Sequence, residues 1–312
     1  MIRSALLCAS GIGDGLLMMI VAHHLKKSRM NPMVFHSSHS LLSPLFEEHH
    51  FEDHTPLKVL EKKLEEFDHV FVENDNSERA WHLFRLRNQG KLKHVRFIFP
   101  TKSKNFKEGD FLFNPNVPVA SNLAECCAAM LGSPYSKEND LSFPEGTYKK
   151  HAKRVVIHPT SNDIKRNWEK SQFLSLANLL SKEGYAPVFC VSPNEREEWE
   201  SLGIEIPKFP SLKDVASYIY ESGFLIGNDS GLGHLASNLG IETLTISGNS
   251  KRVKIWRPDW SNGKVLTPPF LLPNFKGINL RIRENYWQKF ISVNKVFKTF
   301  LELAHESRRH LL

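Results

Sequence analysis

Cysteine is scarce and unpatterned in this 312-residue chain: Cys8, Cys126, Cys127 and Cys190 form no Cys-x-x-Cys spacing. That excludes a thiolate zinc ribbon and argues against a disulfide scaffold; four buried thiols in a reducing cytoplasm are the simpler expectation. No His-Glu-x-x-His motif occurs either. His36, His39, His49, His50, Asp53 and His54 crowd one stretch, but no cysteine joins them, and they read as solvated helix polarity rather than a metal centre. Long apolar runs are missing as well. The longest, Leu16 to Ala22, falls far short of the roughly 20 residues that span a bilayer, so membrane contact is expected to be peripheral. The opening MIRSALLCAS is too short in its apolar part for a secretory leader, and Cys8 comes too early for a lipoprotein one. No internal repeat or low-complexity tract is visible.

Acidic residues are outnumbered, 34 Asp and Glu against 41 Lys and Arg, for a formal charge of +7. An isoelectric point near 9.1 favours an anionic partner: nucleic acid, anionic lipid or a phosphorylated metabolite. The basic residues form no long block and lack aromatic interleaving, which leaves nucleic acid the weakest of the three. Hydrophobic residues at 41% and charged residues at 24% are ordinary for a globular chain, and the length suggests two domains.

Strand and helix patterns alternate along the chain. Ser4 to Ala9, Met33 to His36, His69 to Glu73 and Val95 to Phe99 read as strands. A glycine-rich turn (Ser10 to Gly15) and helices at Leu16 to Lys27, Leu57 to Phe67, Ala80 to Asn88 and Leu123 to Leu131 lie between or after them. Ser133 to Lys153 reads as a linker. The pattern then restarts with strands at Arg154 to His158, Ala186 to Val191, Gly223 to Gly227 and Thr243 to Ser247, and helices at Lys170 to Glu183, Glu195 to Leu202, Leu212 to Glu221 and Leu235 to Leu239. Tyr286 to Leu312 reads as a terminal helix. The expectation is an α/β chain with two doubly wound parallel sheets facing a central cleft: residues 1–150, residues 151–285, and a helix at 286–312 that packs back toward the first domain.

Three segments carry chemistry. Phe224 to Gly227 is an apolar strand that runs into Asp229-Ser230-Gly231 and a helix bearing His234. Ser230 suits an N-cap, the glycines at 231 and 233 leave backbone N–H groups uncovered, and the helix dipole places about half a positive charge there, so a phosphate or diphosphate is the natural guest. His158-Pro159-Thr160-Ser161, followed by Lys165-Arg166-Asn167-Trp168, offers hydroxyls and cations at another strand end, a second half-cradle. Gly11-Ile12-Gly13-Asp14 fails as a dinucleotide fingerprint, because Leu16 stands where a third glycine is needed and the second strand ends without an acidic residue. Asp14 is then either a helix N-cap or a cleft-facing general base. A Ser230–His234 hydrolase pair is disfavoured because Asn228 stands where the nucleophile elbow needs glycine.

Together, Asn228 to Ile241, Gly11 to Asp14 and His158 to Trp168 resemble glycosyltransferase family 9, the ADP-heptose:lipopolysaccharide heptosyltransferases, in order and spacing. The resemblance implies a GT-B fold and an inverting, metal-independent transfer from an ADP-heptose donor to the inner core of bacterial lipopolysaccharide, on the cytoplasmic face of the inner membrane. It makes Asp14 the catalytic base and gives the donor's phosphates and sugar to Thr160, Ser161, Lys165 or Arg166, Asp229, Ser230, Gly231 and His234. Gly11 and Gly13 form the loop that lets substrate approach. No cofactor is implied; the nucleotide sugar is a substrate, and the second partner is an anionic lipid-linked glycan. Lys58, Lys62, Lys63, Arg85 and Arg87 are candidates to hold an acidic sugar or lipid phosphate. The chain departs from the family pattern at Arg166, at Glu169 after the Trp, and at Gly248-Asn249-Ser250. A nucleotide-sugar epimerase and a non-catalytic nucleotide-sugar-binding protein are the alternative functions.

Overall fold

The computed structural model describes residues 2–100, 106–269 and 286–309. Contacts divide the chain into two compact units, Met1–Phe143 and Pro144–Leu312. The first contains β1 (Ile2–Leu7), α1 (Ile12–Lys27), β2 (Met30–Phe35), α2 (His39–Leu42), β3 (His50–Glu52), α3 (Leu57–Leu64), β4 (His69–Glu73), α4 (Glu78–Asn88), β5 (Val95–Ile98) and α5 (Val119–Leu131). The second contains β6 (His151–His158), α6 (Lys170–Lys182), β7 (Ala186–Phe189), α7 (Arg196–Glu200), α8 (Leu212–Tyr220), β8 (Ser222–Asn228), α9 (Gly231–Asn238), β9 (Glu242–Ile246), α10 (Ser250–Trp256), β10 (Gly263–Leu266) and α11 (Val293–Arg309).

Each unit builds one five-stranded parallel sheet, in the orders β3-β2-β1-β4-β5 and β10-β9-β8-β6-β7. Both are doubly wound, and each reverses direction beside its first strand, between β1 and β4 in one and between β6 and β8 in the other. Strands covered on both faces read as continuous apolar runs rather than alternations. β8 is the extreme case, with all seven residues buried.

The apolar run at Leu16 to Ala22 belongs to α1, which is buried continuously from Gly15 to Leu25. A helix apolar all round fits a protein core as well as a membrane, and α1 packs against α5 and β2. Among the described residues no helix is long and apolar enough to cross a membrane. All four cysteines are buried free thiols.

Two expectations about connections are corrected. Much of the supposed linker is docked on the first unit: Asn139 Nδ2 donates to Leu16 O at 3.1 Å, Ser142 N–H to Leu45 O at 2.8 Å, and His24 lies between Ser133 Oγ and Ser136 O. Buried polar groups on α1 need partners, and this segment supplies them. The terminal helix was expected to turn back to the first domain. Instead α11 spends its apolar stripe, Val296, Phe300, Leu303 and Ala304, in the core of the second unit with Val155, Tyr185 and Phe224. Its expected end at residues 310–312 and the domain limit at 285 lie outside the described residues. Four elements escaped the sequence pattern: α2, β3, α10 and β10. β3 has three residues and β10 four, too few to establish a period.

Arg87 was a candidate anion contact, and the structure corrects that too. It is buried, donating to Asp110 at 2.6 and 3.0 Å, and its guanidinium lies 4.6 Å from the Phe97 ring centre. Asp110 also accepts from the backbone N–H groups of Phe97 and Lys107, so both charges are hydrogen-bonded. Removing one partner of such a buried pair strands the other. Arg87→Ala is expected to lower unfolding stability by about 3–5 kcal/mol, read as a drop in the urea midpoint. Arg87→Met combined with Asp110→Leu should recover much of the loss.

Candidate functional site

The second sheet reverses between β6 and β8, and the two strand ends there carry the predicted half-cradles. Ligands in open α/β sheets lie beyond the carboxyl ends of the strands at this reversal, where the connections diverge to opposite faces. The two strands approach closely: a Cβ on Gly227 would sit 2.5 Å from His158 O. Asn228 then ties the loops together. Its Nδ2 donates to Pro159 O at 2.6 Å and its Oδ1 accepts from Trp168 N–H at 3.0 Å. Trp168, as expected, is core. Thr160 Oγ1 donates to Glu195 Oε2 at 3.1 Å, and Ser161 Oγ donates to Asn167 Oδ1 at 2.7 Å.

Asp229 is the buried anion at the centre of this constellation. Its Oδ2 accepts from Arg252 Nε at 3.2 Å and lies 3.7 Å from Arg166 Nη1. Lys165, Arg166 and Arg252 line a cavity of about 260 Å³ together with Asn249 and Trp287. The loop bearing Lys165 is held by Trp287, whose indole N–H donates to Lys165 O at 2.9 Å. Arg166 is therefore the cation nearer Asp229, while Lys165 is exposed at the cavity edge. Arg252 was not singled out from sequence, because no pattern announced α10; the Asn249 side chain that accepts from Arg252 N–H to cap it is the signal that was there.

At the head of α9, Ser230 takes the N-cap position with extended backbone, but its hydroxyl makes no cap bond. Ser230 Oγ is buried with no hydrogen-bond partner, and so is His234 Nδ1 one turn on. Buried polar atoms are nearly always paired, so two orphans at one helix head make it a candidate ligand site. Burial lowers the His234 imidazole to about 4, against the opposing pull of Asp229 and a hydrogen bond with the Trp256 backbone. His234 is thus a neutral ring beside the positive end of the helix. Gly231 opens α9, and Gly233 is buried in its first turn.

In the first unit the expected glycine turn is shorter than its sequence suggests. Only Gly11 lies outside the helix, as N-cap of α1; Gly13 and Asp14 are in its first turn. Asp14 is therefore not the N-cap. Its carboxylate folds back over Gly11, where an added Cβ would meet Asp14 Oδ2 at 2.4 Å, so a side chain at 11 would displace the Asp14 carboxylate. Of the basic candidates, Lys58, Lys62 and Arg85 are exposed, whereas Lys63 pairs with Glu52 and Glu66.

The histidine stretch is solvated polarity only in part, at the exposed His50 and Asp53. His36 and His49 are buried, and His49 Nε2 lies 2.8 Å from Asp140 Oδ2. Burial works to raise the Asp140 carboxyl, but hydrogen bonds from His23 and His49 outweigh it and hold it below the ordinary carboxylate range. Among the described residues, His23, Glu138 and Asp140 are the set with metal-like spacing. Asp140 already bonds His23 Nδ1 at 2.7 Å as well as His49, which is what a proton-bridged latch for the docked segment requires.

Two doubly wound parallel sheets in one chain, with a helix-head anion cradle at the reversal of the second, define a GT-B protein. The family model for glycosyltransferase family 9 (heptosyltransferase) matches residues 132–266, a stretch that holds the whole cradle. The resemblance to glycosyltransferase family 9 thus extends to a domain-sized match at residues 132–266. It is 23% identical over 149 residues to lipopolysaccharide heptosyltransferase 3 of Escherichia coli, covering 41% of this chain and 43% of that protein. The matched region spans about half the length of the curated relatives. Among solved structures, the E. coli ADP-heptose lps heptosyltransferase II aligns over 98% of this chain and 100% of its own, with a TM-score of 0.69 at 16% identity. The E. coli heptosyltransferase WaaC with ADP aligns over 97% of this chain and 100% of its own, with a TM-score of 0.66 at 16% identity. At such identities these structures establish the fold.

The His234 geometry generates a pH dependence. The unfolded chain binds a proton at this imidazole below about 6.5, whereas the native ring does not until about 4. Stability from the neutral ring is therefore present above the unfolded value and lost as pH falls through that window, by about 3 kcal/mol at most. Chemical denaturation at pH 7 and pH 4.5 should show a smaller difference for His234→Asn than for the parent chain.

Proposed function

We propose that the protein is an inverting, metal-independent glycosyltransferase that moves a heptose from an ADP-activated donor onto a lipopolysaccharide inner-core acceptor. The observation that carries this reading is the pair of partnerless buried atoms, Ser230 Oγ and His234 Nδ1, at the head of α9 beside Arg166 and Arg252. An anion would accept from the Ser230 hydroxyl and the backbone N–H groups at the start of α9, while His234 Nδ1, the lone-pair nitrogen of a neutral ring, would accept from a hydroxyl of the attached sugar. The heptosyltransferase names of the relatives, and ADP in one of the similar structures, supply the donor class.

In this reading the second unit retains the leaving group. Negative charge grows on the diphosphate as the anomeric bond breaks, and the N–H groups at the start of α9, with Arg166, Lys165 and Arg252, oppose it. Contacts of this kind typically lower a barrier by about 3 kcal/mol each. Asp14 of the first unit takes the proton from the acceptor hydroxyl as its oxygen forms the new bond to the anomeric carbon. One displacement from the face opposite the diphosphate gives inversion. Lys58, Lys62 and Arg85 are proposed contacts for the acidic acceptor, and the site of action is the cytoplasmic surface of the inner membrane.

The test combines labelled ADP-heptose, a panel of deacylated lipopolysaccharide cores and calorimetric titration with ADP, UDP and GDP. Label should pass to a core, and ADP should bind more tightly than UDP or GDP. Asp14→Asn should lower kcat by about a thousandfold or more while ADP affinity stays within about twofold. Release of an altered sugar without any acceptor would establish an epimerase instead, and tight binding with no transfer to any core would favour a non-catalytic binder.

A further inference from the structure

The turn that carries Asp14 is fastened by side chains from three neighbouring elements. Glu73, the last residue of β4, accepts from Ala9 N–H at 2.7 Å, and Arg79 of α4 donates to Cys8 O at 2.8 Å. Ser38 N–H donates to His36 Nδ1 at 2.9 Å, which leaves the ring proton on Nε2, and that N–H donates to Gly11 O at 3.1 Å. All of this sits at the reversal of the first sheet, between β1 and β4.

Glu73 differs from the other anchors because anchoring does not require its chemistry. An amide would accept from Ala9 N–H equally well. Instead a carboxyl stands there with 8% exposure, on the same turn over which the half-buried Asp14 carboxylate folds. Asp75 adds another carboxyl, and the guanidinium facing the group, Arg79, also lies 3.4 Å from Asp75 Oδ2. Cys8 is fully buried, and its thiol is pushed up and kept neutral. His36 and His54 face Arg79 from the other side, both lowered chiefly by burial, with His39 and Asp53 beyond them.

We propose that Glu73 is a positioning residue for Asp14: its buried carboxyl keeps its proton while it accepts from Ala9 N–H, and so fixes the stretch that leads into α1 and Asp14 without setting a second full charge beside the Asp14 carboxyl. Adjacent carboxyls do not both ionise cheaply, and the more buried one retains the proton. Burial, with Asp14 beside it, pushes the Glu73 carboxyl well above the ordinary carboxylate range, against the pull of the Ala9 N–H. When the acceptor O–H breaks and its proton passes to Asp14, the Glu73 proton stays in place and the pair becomes neutral. The catalytic purpose of the arrangement rests on the proposed role of Asp14; the coupling itself does not.

Carboxyl-¹³C NMR of the full chain tests the coupling directly, with the Glu73 resonance identified by its loss in Glu73→Gln. Glu73 should titrate above the ordinary carboxylate range, and its midpoint should fall by about one pH unit or more in Asp14→Asn. An ordinary midpoint in the parent chain, or one that Asp14→Asn leaves unmoved, overturns the proposal. Turnover supplies the second readout. Glu73→Gln keeps an acceptor for Ala9 N–H but no titrating proton, and should remove the upper inflection from the pH profile of kcat. Glu73→Ala strips the acceptor and should lower kcat at every pH, by about tenfold or more. Identical profiles for Glu73→Gln and the parent chain would count against the retained proton. Surviving turnover in Asp14→Asn would overturn the base and with it the purpose of Glu73, whereas an unmoved midpoint overturns the coupling alone.

Discussion

Everything at these sites depends on one constraint of parallel sheets: the order of strands reverses once, and beside that reversal two connections must leave for opposite faces. The loops at the carboxyl ends therefore cannot cover one another, and a crevice opens among backbone N–H groups. In the second sheet the crevice lies between β6 and β8, whose loops bring Thr160, Arg166 and Asp229 together. In the first it lies between β1 and β4, where Glu73 at the end of β4 holds Ala9 N–H, just before α1 and Asp14. The two sheets have different strand orders, yet both put their chemistry at the reversal.

Around that constraint the chain uses buried polar groups in two opposed ways. Some are hydrogen-bonded to partners far along the chain and serve as staples: Asn228 knits two loops, Arg87 and Asp110 lock α4 to the chain beyond β5, and His23, His49 and Asp140 fasten a long segment to α1. Others are left wanting. Ser230 Oγ and His234 Nδ1 have no partner, and Glu73 is a carboxyl where an amide would do. Satisfied networks rigidify, while unsatisfied ones store binding energy for a guest.

Legibility in the sequence followed the range of the interactions. Strands such as β4 and β8 and helices such as α1 and α6 announced themselves by local apolar pattern, and the Asp229 to His234 segment by glycines at a strand–helix junction. Arg87 looked like any basic residue on a helix face, because its acid, Asp110, lies across a turn that no periodicity reveals. The stretch from residue 133 looked like a linker because its composition is polar; what docks it is a set of partners more than 90 residues away. Asp14 looked like a turn residue because glycines flank it, yet the helix begins at Ile12 and carries it.

By itself the sequence determined the alternation of strands and helices, the division into two parallel sheets, the strand–glycine–helix junction at the head of α9 and the resemblance to glycosyltransferase family 9. These follow from short-range physics: apolar period, capping chemistry and the freedom of glycine. The tertiary structure alone decided which charges are spent on the frame, which arginine joins Arg166 at Asp229, and that a buried glutamate stands beside Asp14. Those facts depend on which side chains meet across the sheet reversals, and both the desolvation of a charge and the pairing that offsets it are properties of the packed chain.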